Sequence, residues 1–284
     1  MLRPAEGGVN SGGHQRSICV FDIETVPDPE AARRLLRDES LETHAAGEAL
    51  RGYFAEITGG RNDFPRQPFH RVVAISYAWL RREPAEEGGW EPVLLGIGSI
   101  GTPEDDERAL LEAFFGAIAE RRPQLVTYNG RGFDLPVLKL RAMAHRLSCP
   151  EWFTTGDRWQ NYDARYDSRY HLDLAEVLSD FGAAARCRLD EIAAAFGVPG
   201  KLGVEGGDVE KMFLNGEIEA IRAYCETDVC TTLLVALRWW RFTGEVGEGA
   251  YQRAEAGLRN YLAQEAETQP HLGAFLARWE ELER

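Results

Sequence analysis

Asp22 and Glu24 stand two residues apart where an apolar run, Ile18-Cys19-Val20-Phe21, ends. Alternate residues of a strand share a face, so the two carboxylates project together as the chain leaves the core. Like charges at that range repel, and they are tolerated when water screens them or when a proton or a metal ion sits between them. A second carboxylate belongs to LVTYNGRGFDLPVL. There Asn129 ends a strand, Gly130 and Gly132 relax the backbone, and Asp134 opens a helix with Pro136 in its first turn. Two readings of Asp134 stand: a helix N-cap, or a carboxylate held at a helix N-terminus beside a strand end, where ligands of α/β sheets gather. The third stretch is AYCETDVCTTLL. Tyr224 and Asp228, four apart, share one helix face, either as a half-buried phenol beside a solvated acid or as a working pair. Glu226 is two residues from Asp228 and points elsewhere.

The elements that must position these residues alternate between strand and helix, which indicates an α/β layer fold. Strands are expected at 17–24, in HRVVAISYAWL, in PVLLGIGSI and in QLVTYN, with weaker strand character in YHLDL. No packed crossover helix separates the second strand from the third, so the sheet opens as an antiparallel meander and becomes mixed. Helices are expected from Thr102 to Arg122, from Leu135 to Leu147, over 213–242, and near 251–264 and 271–283. Residues 28–62 read as a helical insertion over the end of the first strand. The expected division is a flexible leader over 1–16, a catalytic domain over 17–244 and a helical extension over 245–284.

A net charge of −14 excludes a chain that coats nucleic acid by bulk attraction, because such binders are basic. It does not exclude a nuclease, whose acids repel phosphate until divalent metal inverts the local field. No apolar run is long enough to span a bilayer, and the first residues lack the apolar centre of a signal peptide, so no membrane association and a cytoplasmic location are expected. The five cysteines fall at 19, 149, 187, 225 and 230, without a Cys-x-x-Cys pair, and read as reduced thiols. Cys225 and Cys230, five apart, suit neither zinc ligation nor a pair on one helix face.

Order, setting and spacing together carry more than any motif alone. A strand-borne Asp22-x-Glu24, then Asn129-x-x-x-Phe133-Asp134 at a strand-to-helix turn, then Tyr224-x-x-x-Asp228 on a late helix resemble the motifs of the DEDD superfamily of 3′–5′ exonucleases. Over about 17–244 the chain is similar to stand-alone predicted exonucleases related to the proofreading domain of family B DNA polymerases, with YNGRGFDLPVL the densest local match. The histidine branch of the superfamily carries His five residues before the last Asp, where this chain has Ala223. The tyrosine branch carries Tyr four before it, as Tyr224 stands here. The resemblance implies a ribonuclease H-like fold: a mixed central sheet, antiparallel meander then parallel strands, flanked by helices, with a helical C-terminal part. It implies hydrolysis of phosphodiester bonds from the 3′ end of a single strand, DNA favoured over RNA, with two divalent cations, Mg²⁺ or Mn²⁺. Asp22 would be shared by both ions, Glu24 and Asp228 would complete one site, Asp134 would support the other, and Tyr224 would orient the attacking water. No palm or thumb of a polymerase is recognisable, so any proofreading would act in trans, beside replication or repair proteins.

A further group of residues has substrate-binding and structural readings of similar weight. Asp173 in YHLDLAEVL is either a carboxylate supporting the site or a helix cap. Lys201, in FGVPGKLGVEGG, sits in a Gly-rich loop that could hold phosphate or be a surface turn. Asn129 could bond backbone or a terminal sugar, and Phe133 could pack in the core or against a terminal base. Arg158, Arg165 and Arg169 alternate with Trp159, Tyr162 and Tyr166, a pattern that suits phosphates on guanidinium groups and bases on rings.

Overall fold

The structure is a computed structural model describing residues 16–153, 161–200 and 206–284. Its sheet is built from β1 (Ser17–Pro27), β2 (His70–Pro84), β3 (Trp90–Ser99), β4 (Gln124–Thr127) and β5 (His171–Asp173). The strand order is β3-β2-β1-β4-β5, antiparallel across the first three and parallel across β1, β4 and β5. β1 is therefore central, and both of its faces are covered. Ile18 and Val20 enter one core, while Cys19, Phe21 and Ile23 enter the other. This is why its first residues are apolar without alternation.

The helices are α1 (Pro29–Leu36), α2 (Ala46–Thr58), α3 (Glu107–Arg121), α4 (Asp134–Ala144), α5 (Leu174–Val177), α6 (Leu189–Phe196), α7 (Val209–Leu214), α8 (Ile218–Phe242), α9 (Glu248–Glu265) and α10 (Pro270–Leu282). α3 and α4 cover the face that carries Phe21, through Leu111, Phe114, Leu135 and Leu138. α8 lies along the opposite face, where Val229, Leu233 and Leu237 pack against Ile18 and Val20. α9 and α10 lie outside α8 and join the same core through Leu258, Leu262, Phe275 and Trp279. α1 and α2, within the 28–62 stretch, close over a small cluster of their own, with Ala32, Leu50 and Phe54 buried. No helix among the described residues is long and apolar enough to cross a membrane.

Expected helices differ from the observed ones at several boundaries, α4 ending at Ala144 short of the expected Leu147, and two of the differences have clear local reasons. The helix expected from Thr102 begins at Glu107, because Asp106 is its cap and accepts from the Ala109 N–H at 2.8 Å. Thr102 instead opens a separate turn, its N–H held by Asp105 at 2.7 Å. The stretch 213–242 is split at Gly216, which turns the chain with φ +80 between α7 and α8. β1 also runs three residues past the expected Glu24, across a register shift between Glu24 and Thr25.

Edge strand β3 is closed off by the C-terminal helices. The Tyr261 hydroxyl accepts from the Ile97 N–H at 3.0 Å and donates to the Ile97 carbonyl at 3.1 Å, so one side chain satisfies both backbone groups of an edge residue. Glu87, in the β2–β3 turn, accepts from the Ala250 N–H at the start of α9 at 2.6 Å and pairs with Arg253.

Candidate active site

The face of β1 that buries Ile18 and Val20 continues, two residues at a time, into Asp22 and Glu24. α8 lies over this same face. Its middle packs on the apolar residues, which brings its preceding turns, from Tyr224 to Asp228, over the acids. The Cys225 thiol donates to the Asp22 carbonyl at 3.4 Å and lies 3.8 Å from the Asp22 carboxylate. Asp134 arrives from the other layer. β4 pairs with β1 only as far as Val20, so beyond it the Ile23 N–H is open to a side chain. The Asp134 carboxyl takes that N–H, at the first residue of α4. Asp134 is thus not the cap of its helix, a position held by Phe133. Four acids from β1, α4 and α8 meet where the sheet opens between β1 and β4.

Their electrostatics follow from that crowding. Burial drives the Asp22 carboxyl well above the ordinary range, and Asp134, Glu24 and Asp228 add to the rise. Burial pushes Asp134 up to about 7, with Asp173 adding and hydrogen bonds from backbone N–H groups pulling back. Tyr224 is raised by burial first and then by Asp228 and Glu24, and its hydroxyl donates to Asp228. The phenol therefore stays protonated at any physiological pH. One ligand atom from each of Asp22, Glu24 and Cys225 lies within 4.8 Å of the others. A donor set of carboxylate oxygens under mutual repulsion fits a hard divalent cation, which would supply the missing positive charge.

The surrounding framework holds these groups in register. Asp173 accepts from the Asn129 N–H at 2.9 Å, the Arg131 N–H at 2.9 Å and the Ala175 N–H at 3.0 Å. It caps α5 and holds the Gly-rich turn before Asp134. Asn129 has φ +64, and the glycines beside it make room: a Cβ on Gly130 would lie 2.4 Å from the Thr127 hydroxyl. α4 is fixed by Arg141, which donates to Glu107 at 2.8 and 2.6 Å and to Asp28 at 2.5 Å, all nearly buried. Glu107 also accepts from the Val72 N–H at 2.7 Å, and Asp28 caps α1 just after β1. One guanidinium thus ties α4 to α3 and to the end of β1.

The remaining candidates lie at varied distances from the acids. Phe133 is half-buried and packs edge-on to His70 at 4.9 Å, with exposed Phe64 5.9 Å away. The Asn129 side chain accepts from Arg186 at 3.2 Å. Arg165 pairs with Glu176 at 2.7 Å, and Arg169 pairs with Asp167 at 2.6 Å. Arg158 and Lys201 lie outside the described residues. Glu226 points away from the acids, accepting from Ser99 at 2.6 Å and bonding His271 at 2.7 Å. Cys225 was missed by its spacing to Cys230. Its spacing to Asp228, three residues along the same helix, is the signal that places it on the site face. A cavity of about 410 Å³ between α3 and the sheet is lined by Cys19, Phe21 and Phe114, on the face opposite Asp22.

Residues 62–279 match a family described as a predicted 3′–5′ exonuclease related to the exonuclease domain of PolB. The chain belongs to this family. Asp134, Tyr224 and Asp228 fall inside the matched stretch, and Asp22 and Glu24 precede it. The fold of this family member is the mixed five-stranded sheet, order β3-β2-β1-β4-β5, flanked by helices. Among solved structures it is similar to the family B DNA polymerase from the hyperthermophilic archaeon Pyrobaculum calidifontis, at 19% identity and a TM-score of 0.46, over 89% of this chain and 29% of that one. No curated protein matches.

Proposed function

We propose that the chain is a divalent-metal-dependent 3′–5′ exonuclease of the tyrosine branch, trimming single-stranded nucleic acid, DNA in preference to RNA. The observation that carries this reading is the meeting of Asp22, Glu24, Asp134 and Asp228 at the open end of the sheet, where burial and then the other three acids raise Asp22. Asp22 would be shared by a pair of cations, Mg²⁺ or Mn²⁺, with Glu24 and Asp228 beside it at one ion and Asp134 at the other. When bound, the ions supply the Lewis acidity that activates water and stabilises the leaving oxygen.

The chain's own residues supply position. The Tyr224 hydroxyl donates to Asp228, which leaves an oxygen lone pair to accept a hydrogen bond from water or from a terminal sugar hydroxyl. It cannot act as a base, because burial and the acids keep it protonated. The Cys225 thiol, donating to the Asp22 main chain, holds the strand end against α8. Phe133, with His70 and Phe64, offers aromatic surface beside Asp134 for the terminal base. The working unit is the 17–244 domain, with 245–284 as its helical extension, acting in the cytoplasm and, for any proofreading, in trans to a replication or repair polymerase.

The test is a 5′-labelled single strand of DNA or RNA incubated with Mg²⁺, Mn²⁺ or EDTA. A ladder shortening from the 3′ end, lost in EDTA and lost in Asp22→Ala with the fold intact, is the expected result. A shifted but uncut band with either metal would make the chain a binding protein instead.

A further inference from the structure

A second cluster of charge lies behind the Gly-rich turn. The nearly buried carboxylate of Glu176, on α5, is shared by three guanidinium groups: Arg165 at 2.7 Å, Arg186 at 2.8 Å and Arg131 at 3.5 Å. Asp173 and Asp180 line one cavity with Glu176 and Arg165, so three carboxylates stand against the three guanidinium groups and the cluster is close to neutral within a chain of net charge −14. Arg131 is committed to the framework, donating to the carbonyls of Asp163 and Ala164 and to His171. Arg165 and Arg186 keep 44% and 38% of their side-chain surface exposed. Arg186 also reaches Asn129, so it stands over the turn that delivers Asp134.

Beside the arginines are two aromatic rings that the core does not use. Tyr166 is 75% exposed and Phe181 is 39% exposed. Their centroids are 5.1 Å apart, and the Arg165 guanidinium lies 5.6 Å from the Tyr166 centroid. Phe181 and the preceding Asp180 both take left-handed backbone, with φ +55 and +46. A bulky residue rarely adopts that conformation, and strain of this kind gathers at functional sites. Here it displays a ring to solvent instead of burying it. A cavity of about 270 Å³ opens between the rings and Arg165, with Asp173, Glu176 and Asp180 in its wall. The same Asp173 holds the turn before Asp134, so cavity and acids are separated by one side chain and one turn.

We propose that this cavity is a subsite for a nucleotide of the single strand a few positions upstream of the 3′ end, its base against Tyr166 and Phe181 and its phosphate on Arg165 and Arg186. The proposal rests on the exonuclease reading, since it extends the path of that strand. Exposed rings accept any base, and guanidinium groups accept the phosphate of DNA or RNA alike, so the subsite adds affinity without sequence preference.

The experiment measures binding of 5′-fluorescein oligo(dT) and oligo(U), as dinucleotide and decanucleotide, to an Asp22→Asn background with millimolar Mg²⁺. Phe181→Gly removes the ring and relieves the left-handed strain, so its melting temperature should hold or rise. Its affinity for the decanucleotide should nonetheless fall about tenfold, with the dinucleotide unaffected. Arg165→Gln with Arg186→Gln should reduce the salt slope of decanucleotide binding by about 1 per arginine. Decanucleotide affinity and salt slope equal to the background in both variants would overturn the subsite, while trimming by the wild-type chain would leave the exonuclease reading standing. If the wild-type chain neither binds nor trims a single strand, both fail together.

Discussion

Replacing Asp134 by Asn should stabilise the metal-free protein at neutral and alkaline pH. Asp134 is 5% exposed, so bulk water screens its charge little. Its pKa rises from 3.8 to about 7 on folding. A raised carboxyl contributes stability that is complete below pH 3.8 and is lost as the pH climbs through about 7. Three pH units at 1.36 kcal/mol each set an upper bound of about 4 kcal/mol for that loss. Asp22 and Asp134 hydrogen-bond and share the burden of one proton, so a gain of about 2–4 kcal/mol is expected for Asp134→Asn at pH 8 relative to its effect at pH 4. The amide is nearly isosteric and carries no charge at either pH. The assay is urea unfolding of both proteins in EDTA across that range, followed by the same series in millimolar Mn²⁺. In metal the order should reverse if Asp134 helps to hold a cation as proposed, because binding would then stabilise the wild type by mass action. Equal effects of the substitution at pH 4 and pH 8 in EDTA would refute the crowding argument, and with it the preformed cation site.

Other substitutions probe the framework. Arg141→Met should cost about 3–5 kcal/mol in chemical denaturation, because Asp28 and Glu107 would keep buried charge without their shared partner. Tyr224→Phe should lower kcat by about 10- to 100-fold with KM little changed, as expected for a group that orients the attacking water; unchanged kcat would remove that role. Tyr261→Phe leaves both backbone groups of Ile97 without their partner and should cost about 1–3 kcal/mol in urea unfolding.

The fold and the acids were largely legible because each left a periodic trace. The two-residue rhythm of Ile18, Val20, Asp22 and Glu24 names the face that meets α8, and the four-residue step from Tyr224 to Asp228 names the helix face that meets it. The mixed sheet followed from the missing crossover between β2 and β3. What stayed hidden depends on contacts between distant segments. Cys225 enters the site because α8 packs tightly over β1, and no spacing to another cysteine reveals that. Asp106 caps α3 in place of Thr102, whose own N–H is held by Asp105 in a separate turn. The three arginines on Glu176 come from 131, 165 and 186, and only the closing of β5 and α5 onto the Gly-rich turn unites them. Arg141 gave no signal at all, since a lone Arg on an amphipathic helix ordinarily faces water.

Glu226 lies between Tyr224 and Asp228 in the chain yet faces the other way, to Ser99 on β3 and to His271 at the start of α10. The last helix is therefore joined to the segment bearing two of the site residues by a carboxylate as well as by the shared core. A chain cut before Pro270 would lose the imidazole partner and bare the apolar back of α8. Loss of α10 would then be felt as misalignment at the sheet's mouth, which makes this outer helix a keystone of the site.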